Sequence, residues 1–258
     1  ACCPTLAGIA AGMKLNAMIK EGKFEAKDAK IGYVGAYPYA EVKSGYTAFF
    51  LGVRSVCKEA TMEVQFTGSW YDEAKEKEAA TLLIGRGCKL ISQHADSMGA
   101  PTACESAGVP NVSYNGSTLD ACPNTFIVSS RINWVPYMKY MIECVRDNKA
   151  IDTDWCKGIN EGAVELTPIN EKVAAPGTAG AIKAAEEQFK AGTLHVFDTS
   201  TFTVDGKTLT SYMADVDTDE KFTPDTEVIS NGYFHESEKR SAPYFDVNID
   251  GITLLNEG

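Results

Sequence analysis

The chain has 258 residues, 44% of them hydrophobic, with a formal net charge of -11 and a sequence pI near 4.8. That length holds one large domain or two small ones around a real core. The acidity argues against a nucleic-acid or anionic-membrane partner, since both are held mainly by Lys and Arg.

No window approaches the roughly 18 to 20 apolar residues of a membrane span, and no basic-then-apolar leader opens the sequence, so neither an anchor nor a signal is expected within it. Eight cysteines occur, Cys2, Cys3, Cys57, Cys88, Cys104, Cys122, Cys144 and Cys156, without a CxxC pair. Zinc is therefore not expected. Buried free thiols are the leading reading, and disulfides are the alternative in an oxidising compartment.

In residues 4–20, PTLAGIAAGMKLNAMIK, Leu6, Ile9, Ala10, Met13 and Ala17 share one helical stripe, with small residues between them that permit close packing. KIGYVGA, residues 30–36, is β-branched and aromatic and predicts a buried strand. It leaves through Tyr37, Pro38, Tyr39, Ala40 and Glu41 into a helix whose Tyr46, Phe49, Phe50 and Val53 fall at i, i+3, i+4 and i+7.

The next strand, Met62 to Thr67, ends in Gly68, Ser69, Trp70 and Tyr71, and Asp72 is placed to cap a helix from Glu73 to about Arg86, stopped by Gly87. Strand Lys89 to Gln93 leaves through His94, Ala95, Asp96 and Ser97. Two strands joined by a helix of this length are expected to be parallel, with a right-handed crossover, which puts both strand ends at one edge of one sheet. A helix from about Gly99 to Ala107, a strand Pro110 to Tyr114 leaving through Asn115, Gly116 and Ser117, and a strand Thr125 to Ser130 leaving through Arg131, Ile132, Asn133 and Trp134 continue the pattern.

Beyond Trp134 the spacing predicts a helix Val135 to Arg146 with an apolar stripe of Met138, Met141, Ile142 and Val145, a strand Ala163 to Leu166 and a helix Ala179 to Lys190. The tail from Thr193 is strand-like, with hairpin signals at Asp205-Gly206 and Asp250-Gly251.

Five strand ends thus carry YPYAE, GSWYD, HADS, NGST and RINW at the carboxyl edge, where open α/β sheets bind ligands. The candidate binding residues are Tyr37, Glu41, Ser69, Trp70, Tyr71, His94, Asp96, Asn115, Arg131 and Trp134. Flat aromatics with amides, carboxylates and one Arg suit a neutral polar ring compound.

GxGxxG after a strand, GxxxxGK[ST], GxSxG and HExxH do not occur. Glu73, Glu76 and Glu78 in the first turns of one helix repel phosphate from its N-terminus. His94 and Asp96 have the form of half an acid/base pair or of a metal-binding HxD, yet only His195 and His235 stand elsewhere. The expectation is a binder and not an enzyme, with no cofactor and no metal.

KIGYVGAYPYAEVKSGYTAFFLGVRSV, then FTGSWYDEAKEKEAATLLIGRGCKLISQHADS, SYNGS and SSRINWVPY, resembles the basic membrane protein family, the nucleoside-binding lipoproteins of bacterial ABC importers. The resemblance covers roughly residues 5 to 200, and YFHESEKRSAPYFDVNIDGI, at 233–252, is similar to the tail of some members. It implies an α/β periplasmic-binding-protein type I (Venus-flytrap) fold, a three-layer parallel sheet with helices on both faces, closing on a purine nucleoside or nucleobase between two lobes.

By the resemblance Trp70 matches the stacking aromatic, Asn115 a ligand-gripping carboxylate position, and His94, Asp96 and Arg131 positions lining the cleft. It also implies an ABC permease and ATPase as partners and an extracytoplasmic, membrane-anchored lipoprotein. A ligand-sensing ectodomain using the same cleft is the second reading.

Most of the family's first lobe precedes the helix that begins here near Leu6. Residues 1–29 are then expected to be a first-lobe remnant, 30–131 the second-lobe core, 132–162 a first-lobe remnant and hinge, and 163–258 a crossing strand and second-lobe extension. The missing half belongs to sequence outside these residues or to a second chain. The stripes Leu6, Ile9, Met13 and Met138, Met141, Ile142, Val145 are expected to face it, and to form an apolar patch when uncovered.

Overall fold

In KIGYVG every residue after Lys30 is buried, and residues 31 and 33 face one side while residue 34 faces the other, the pattern of a strand covered on both faces. The computed structural model describes residues 1–217 and 219–257. This strand, β1 (Lys30–Gly35), is central in a seven-stranded sheet with β2 (Thr61–Phe66), β3 (Leu90–Gln93), β4 (Asn111–Tyr114), β5 (Phe126–Ile132), β6 (Val164–Leu166) and, from the far end of the chain, β11 (Ile252–Leu254). The order is β11-β2-β1-β3-β4-β5-β6; all pairs are parallel except β5 with β6. The two strands read from the sequence as a parallel pair are parallel but not neighbours. Both pair with β1, which lies between them.

Helices cover both faces. α1 (Cys2–Lys20), α2 (Ala40–Val56) and α6 (Thr178–Ala191) share one core with Ile31, Tyr33 and Met62, while α3 (Glu73–Gly85) and α4 (Gly99–Ala107) pack through Ala80, Leu83, Ala100 and Cys104 on Val34 and Ile91. Asp72 caps α3 as expected, accepting from the Lys75 N–H at 3.0 Å. Gly108 and Gly192 end α4 and α6 in the left-handed conformation. All eight cysteines are free, and Cys3, Cys57, Cys88, Cys104, Cys122 and Cys144 are buried.

The stripe on α1 is corrected by the structure. Leu6 and Ile9 are buried within this chain and Met13 packs against the same core, because α1 lies on α2 and α6. The contact is backbone on backbone: a Cβ on Gly8 would stand 2.0 Å from the Phe49 carbonyl oxygen, and one on Gly52 would stand 2.1 Å from that of Thr5. By length and mean hydropathy (1.2), α1 also passes as a membrane span, contrary to the window reading. Its alanines and glycines serve helix packing here.

The stripe on α5 (Val135–Arg146) is left uncovered, with Met138, Ile142 and Val145 exposed. The tail carries two small antiparallel ribbons, β7 (Met213–Ala214) with β8 (Thr226–Glu227) and β9 (Ile229–Ser230) with β10 (Tyr233–Phe234). Its Phe197, Phe202, Phe234, Tyr244 and Phe245 join the larger core. Asp205-Gly206 makes the expected tight turn, with Val204 bridged to Lys207. Asp250-Gly251 makes no hairpin: the turn delivers β11 to the edge of β2 as a parallel strand.

Candidate functional site

The chain lays β2 on one side of β1 and then returns to lay β3 on the other, so the strand order reverses between β1 and β3. Connections leave in opposite directions at such a point and open a crevice at the carboxyl edge. Tyr37 leaves β1 and His94 leaves β3 on the two sides of this crevice, with Trp70 leaving β2 next to them.

Their rings form a continuous row. Tyr37 stacks on Tyr39 at 5.1 Å and meets Trp70 edge-on at 5.2 Å; Trp70 lies 5.9 Å from His94, and His94 stacks on Tyr114 at 4.5 Å. The loops beneath are tied together. The Asp96 N–H donates to the Trp70 carbonyl at 2.9 Å, and the Asn115 amide reaches the Asp96 carboxylate at 3.5 Å. Asn115 itself is left-handed (φ 69°), a conformation that Asn tolerates.

Glu76 locks two of these loops. Its fully buried carboxylate accepts the backbone N–H of Asp72 at 3.0 Å and of Ser97 at 3.1 and 3.3 Å, joining the end of β2 to the end of β3. The sequence reading gave Glu76 only a repulsive role at a helix start. Its inward turn is a tertiary fact.

His94 is buried, its Nδ1 has no hydrogen-bond partner, and its pKa is pulled down to about 4 by burial, opposed by the Asp96 carboxylate. It is therefore neutral at physiological pH. Burial, then the charges of Glu41 and Asp96, hold the Tyr114 phenol above its ordinary value, so it remains a hydroxyl.

His94 and Tyr114 of this row also line a cavity of about 290 Å³. Glu41, Ser44 and Gly45 of α2 line one side, His94, Tyr114, Ser130 and Arg131 the strand ends, and Trp155, Cys156 and Lys157 a third side. The Arg131 guanidinium is engaged by Glu165 of β6, its Nε donating at 2.7 Å.

Of the ten candidate residues, Glu41, His94 and Arg131 line the cavity; Tyr37 and Trp70 extend it as the ring row, and Asp96 and Asn115 meet beside it. Ser69 is spent on its own turn, donating to the Tyr71 carbonyl at 3.2 Å. Tyr71 is 66% exposed, and Trp134, 57% exposed, packs toward Tyr137 of α5; neither lines the cavity. Tyr114, Ser44 and Trp155 were missed. Tyr114 was legible as the residue before the NGST loop, whereas Ser44 and Trp155 reach the cavity only through the packing of α2 and of the connection after α5.

Residues 22–191 match the family model described as Bmp, ABC transporter substrate-binding protein PnrA-like. A purine-binding protein of Brucella abortus is 30% identical over 184 residues, covering 66% of this chain and 53% of that protein. A putative ABC transporter glucose-binding protein of Haloferax volcanii is 32% identical over 173 residues, covering 67% and 44%. The chain thus spans about half the length of the curated relatives it matches. Among solved structures, an ABC transporter solute-binding protein of Aeropyrum pernix superposes with a TM-score of 0.64 at 17% identity, over 76% of this chain and 63% of that one, which shows the periplasmic-binding-protein fold.

Proposed function

The chain belongs to the Bmp family, the PnrA-like substrate-binding proteins of ABC transporters, and from that premise we propose that it captures a purine nucleoside or nucleobase outside the cytoplasm for import. The observation that carries this reading is the ring row Tyr37, Trp70, His94 and Tyr114, whose last two rings line a cavity together with serine hydroxyls and the Glu41 carboxylate. A flat neutral heterocycle is held by ring faces and by a few polar groups at its rim. The cavity's two basic side chains are Arg131, paired with Glu165, and Lys157, which shares the wall with the Glu41 carboxylate.

The name of the Brucella relative supports a purine. In this reading the bound ligand passes to a permease with its ATPase, the protein is held at the membrane as a lipoprotein, residues 30–131 are second-lobe core, and His94 and Asp96 bind without catalysing.

Calorimetric titration with adenosine, inosine, guanosine, adenine and glucose tests it. A purine is expected to bind and glucose to give no heat; glucose binding without purine binding overturns the reading. Chromatography after incubation should recover each nucleoside intact. Release of free base or deaminated product above a heat-treated control would overturn the binding-only role.

A further inference from the structure

Besides Ala1, Cys3 and Pro4 at the start of α1, a further wall of the cavity comes from the end of the chain. Ser237, Ser241 and Pro243 line the cavity that His94 and Tyr114 line from the sheet, although about 120 residues separate them from the last of those loops. This stretch lies between two apolar anchors. Phe234 on one side and Tyr244 and Phe245 on the other are buried in the larger core, whereas residues 237–242 are polar or small and exposed or half-buried. The core therefore does not need them.

What holds the stretch is polar. Glu236 Oε1 accepts from the Tyr244 N–H at 3.1 Å and from the Ser44 hydroxyl of α2 at 3.4 Å. Burial raises the pKa of Glu236, and its Oε2 is buried without a partner. At the other end the Ser241 N–H donates to both carboxylate oxygens of Asp154, at 2.9 and 3.0 Å, and its hydroxyl donates to the same carboxylate. The Cys156 thiol donates to the Ser237 carbonyl at 2.7 Å. Asp154 and Cys156 flank Trp155, itself a cavity residue, in the connection between α5 and β6. One segment thus bridges α2 to the connection between α5 and β6.

We infer that residues 236–243 are a strap that walls the ligand site, facing the bound compound with Ser237 and Ser241, and that the Asp154–Ser241 tie sets the affinity. The inference rests on the proposed placement of the ligand in this cavity. A ligand pocket buries most of its occupant, and a single sheet edge leaves one face of a flat ring in water. The strap covers that side from within the same chain. Its contribution is to pre-organise the wall, so that binding does not have to order it.

Lys239 and Arg240 place trypsin sites in the middle of the strap. The test measures cleavage at those two bonds by mass spectrometry, with and without saturating inosine, adenosine or glucose, in the unaltered chain, Asp154→Ala and Ser241→Ala. The compound that binds is expected to slow cleavage there about tenfold. Asp154→Ala, which removes the whole tie, should speed cleavage and weaken binding about tenfold, the scale of losing a charged hydrogen bond, and Ser241→Ala, which keeps the two backbone bonds, should do both by less, with the urea midpoint unchanged in each. Ser237→Ala, which leaves the tie in place, should weaken binding without speeding cleavage, and it replaces the other two if they unfold the chain.

Slowed cleavage under glucose and not under a purine would overturn the proposed ligand while supporting the strap. Purine binding that leaves both the cleavage rate and the affinity of the variants unchanged would overturn the strap alone. Binding of none of the three compounds would overturn both.

Discussion

His94 stands against the Tyr114 ring with an imidazole pulled from its ordinary 6.5 to about 4, first by burial, with Asp96 acting in the opposite sense. Between those values the unfolded chain binds the extra proton, so stability is full above pH 6.5, falls as pH drops through the window and levels off below 4. The amplitude is roughly 3 kcal/mol. Urea unfolding at pH 7.5 and 4.5 should show a loss of that order from this group, and His94→Gln should remove it. An unaltered pH dependence in the variant would mean that other groups govern it. Trp70 is 37% exposed in the middle of the ring row, and Trp70→Ala should cost about 1 to 3 kcal/mol of purine affinity, the scale of base stacking on an aromatic side chain. Unchanged heat in calorimetry would assign Trp70 to holding Tyr37 and Tyr39 alone.

The pairing of α1 with α2 depends on glycines whose missing side chains let two backbones touch. Gly8→Ala pushes a methyl group against the Phe49 carbonyl, and Gly52→Ala one against that of Thr5, where no side chain can swing away. Each should destabilise by about 3 kcal/mol, at the upper end of overpacking costs. Gly85→Ala at the end of α3 meets nothing within 4 Å. It should stabilise by about 0.5 to 1 kcal/mol through lost backbone freedom in the unfolded chain. Urea midpoints for the three variants check both signs, and a loss at Gly85 equal to that at Gly8 would deny that close approach is the cause.

At the scale of the molecule the apolar face of α5 is a broad uncovered surface. Ile142 is 67% and Val145 73% exposed, with Val135 and Met138 on the same helix, while only Cys144 of α5 is buried. An uncovered apolar stripe drives association. Light scattering of the 258-residue chain should show a mass that rises with concentration, and the double substitution Ile142→Glu and Val145→Glu should return it to the monomer. A monomer at all concentrations without substitution would show that this face costs too little to matter.

Much of this architecture is local in origin and was readable residue by residue. Asp72 placed the start of α3, Gly108 and Gly192 placed the ends of two helices, and β-branched runs marked β1 through β5, because caps, glycine stops and short apolar runs act within a few residues. Parallel strands put YPYAE, GSWYD, HADS, NGST and RINW at one edge, so the neighbourhood of the site followed from the sequence as well. What lies between distant segments did not follow. That β1 sits between β2 and β3, that α1 lies on α2, that Glu76 turns inward to join two loops, and that Ser237 and Ser241 return to face His94 are decided by which surfaces exclude water together. Burial is set by the whole packed chain, and no residue carries in its own neighbours the identity of the side chain that will cover it.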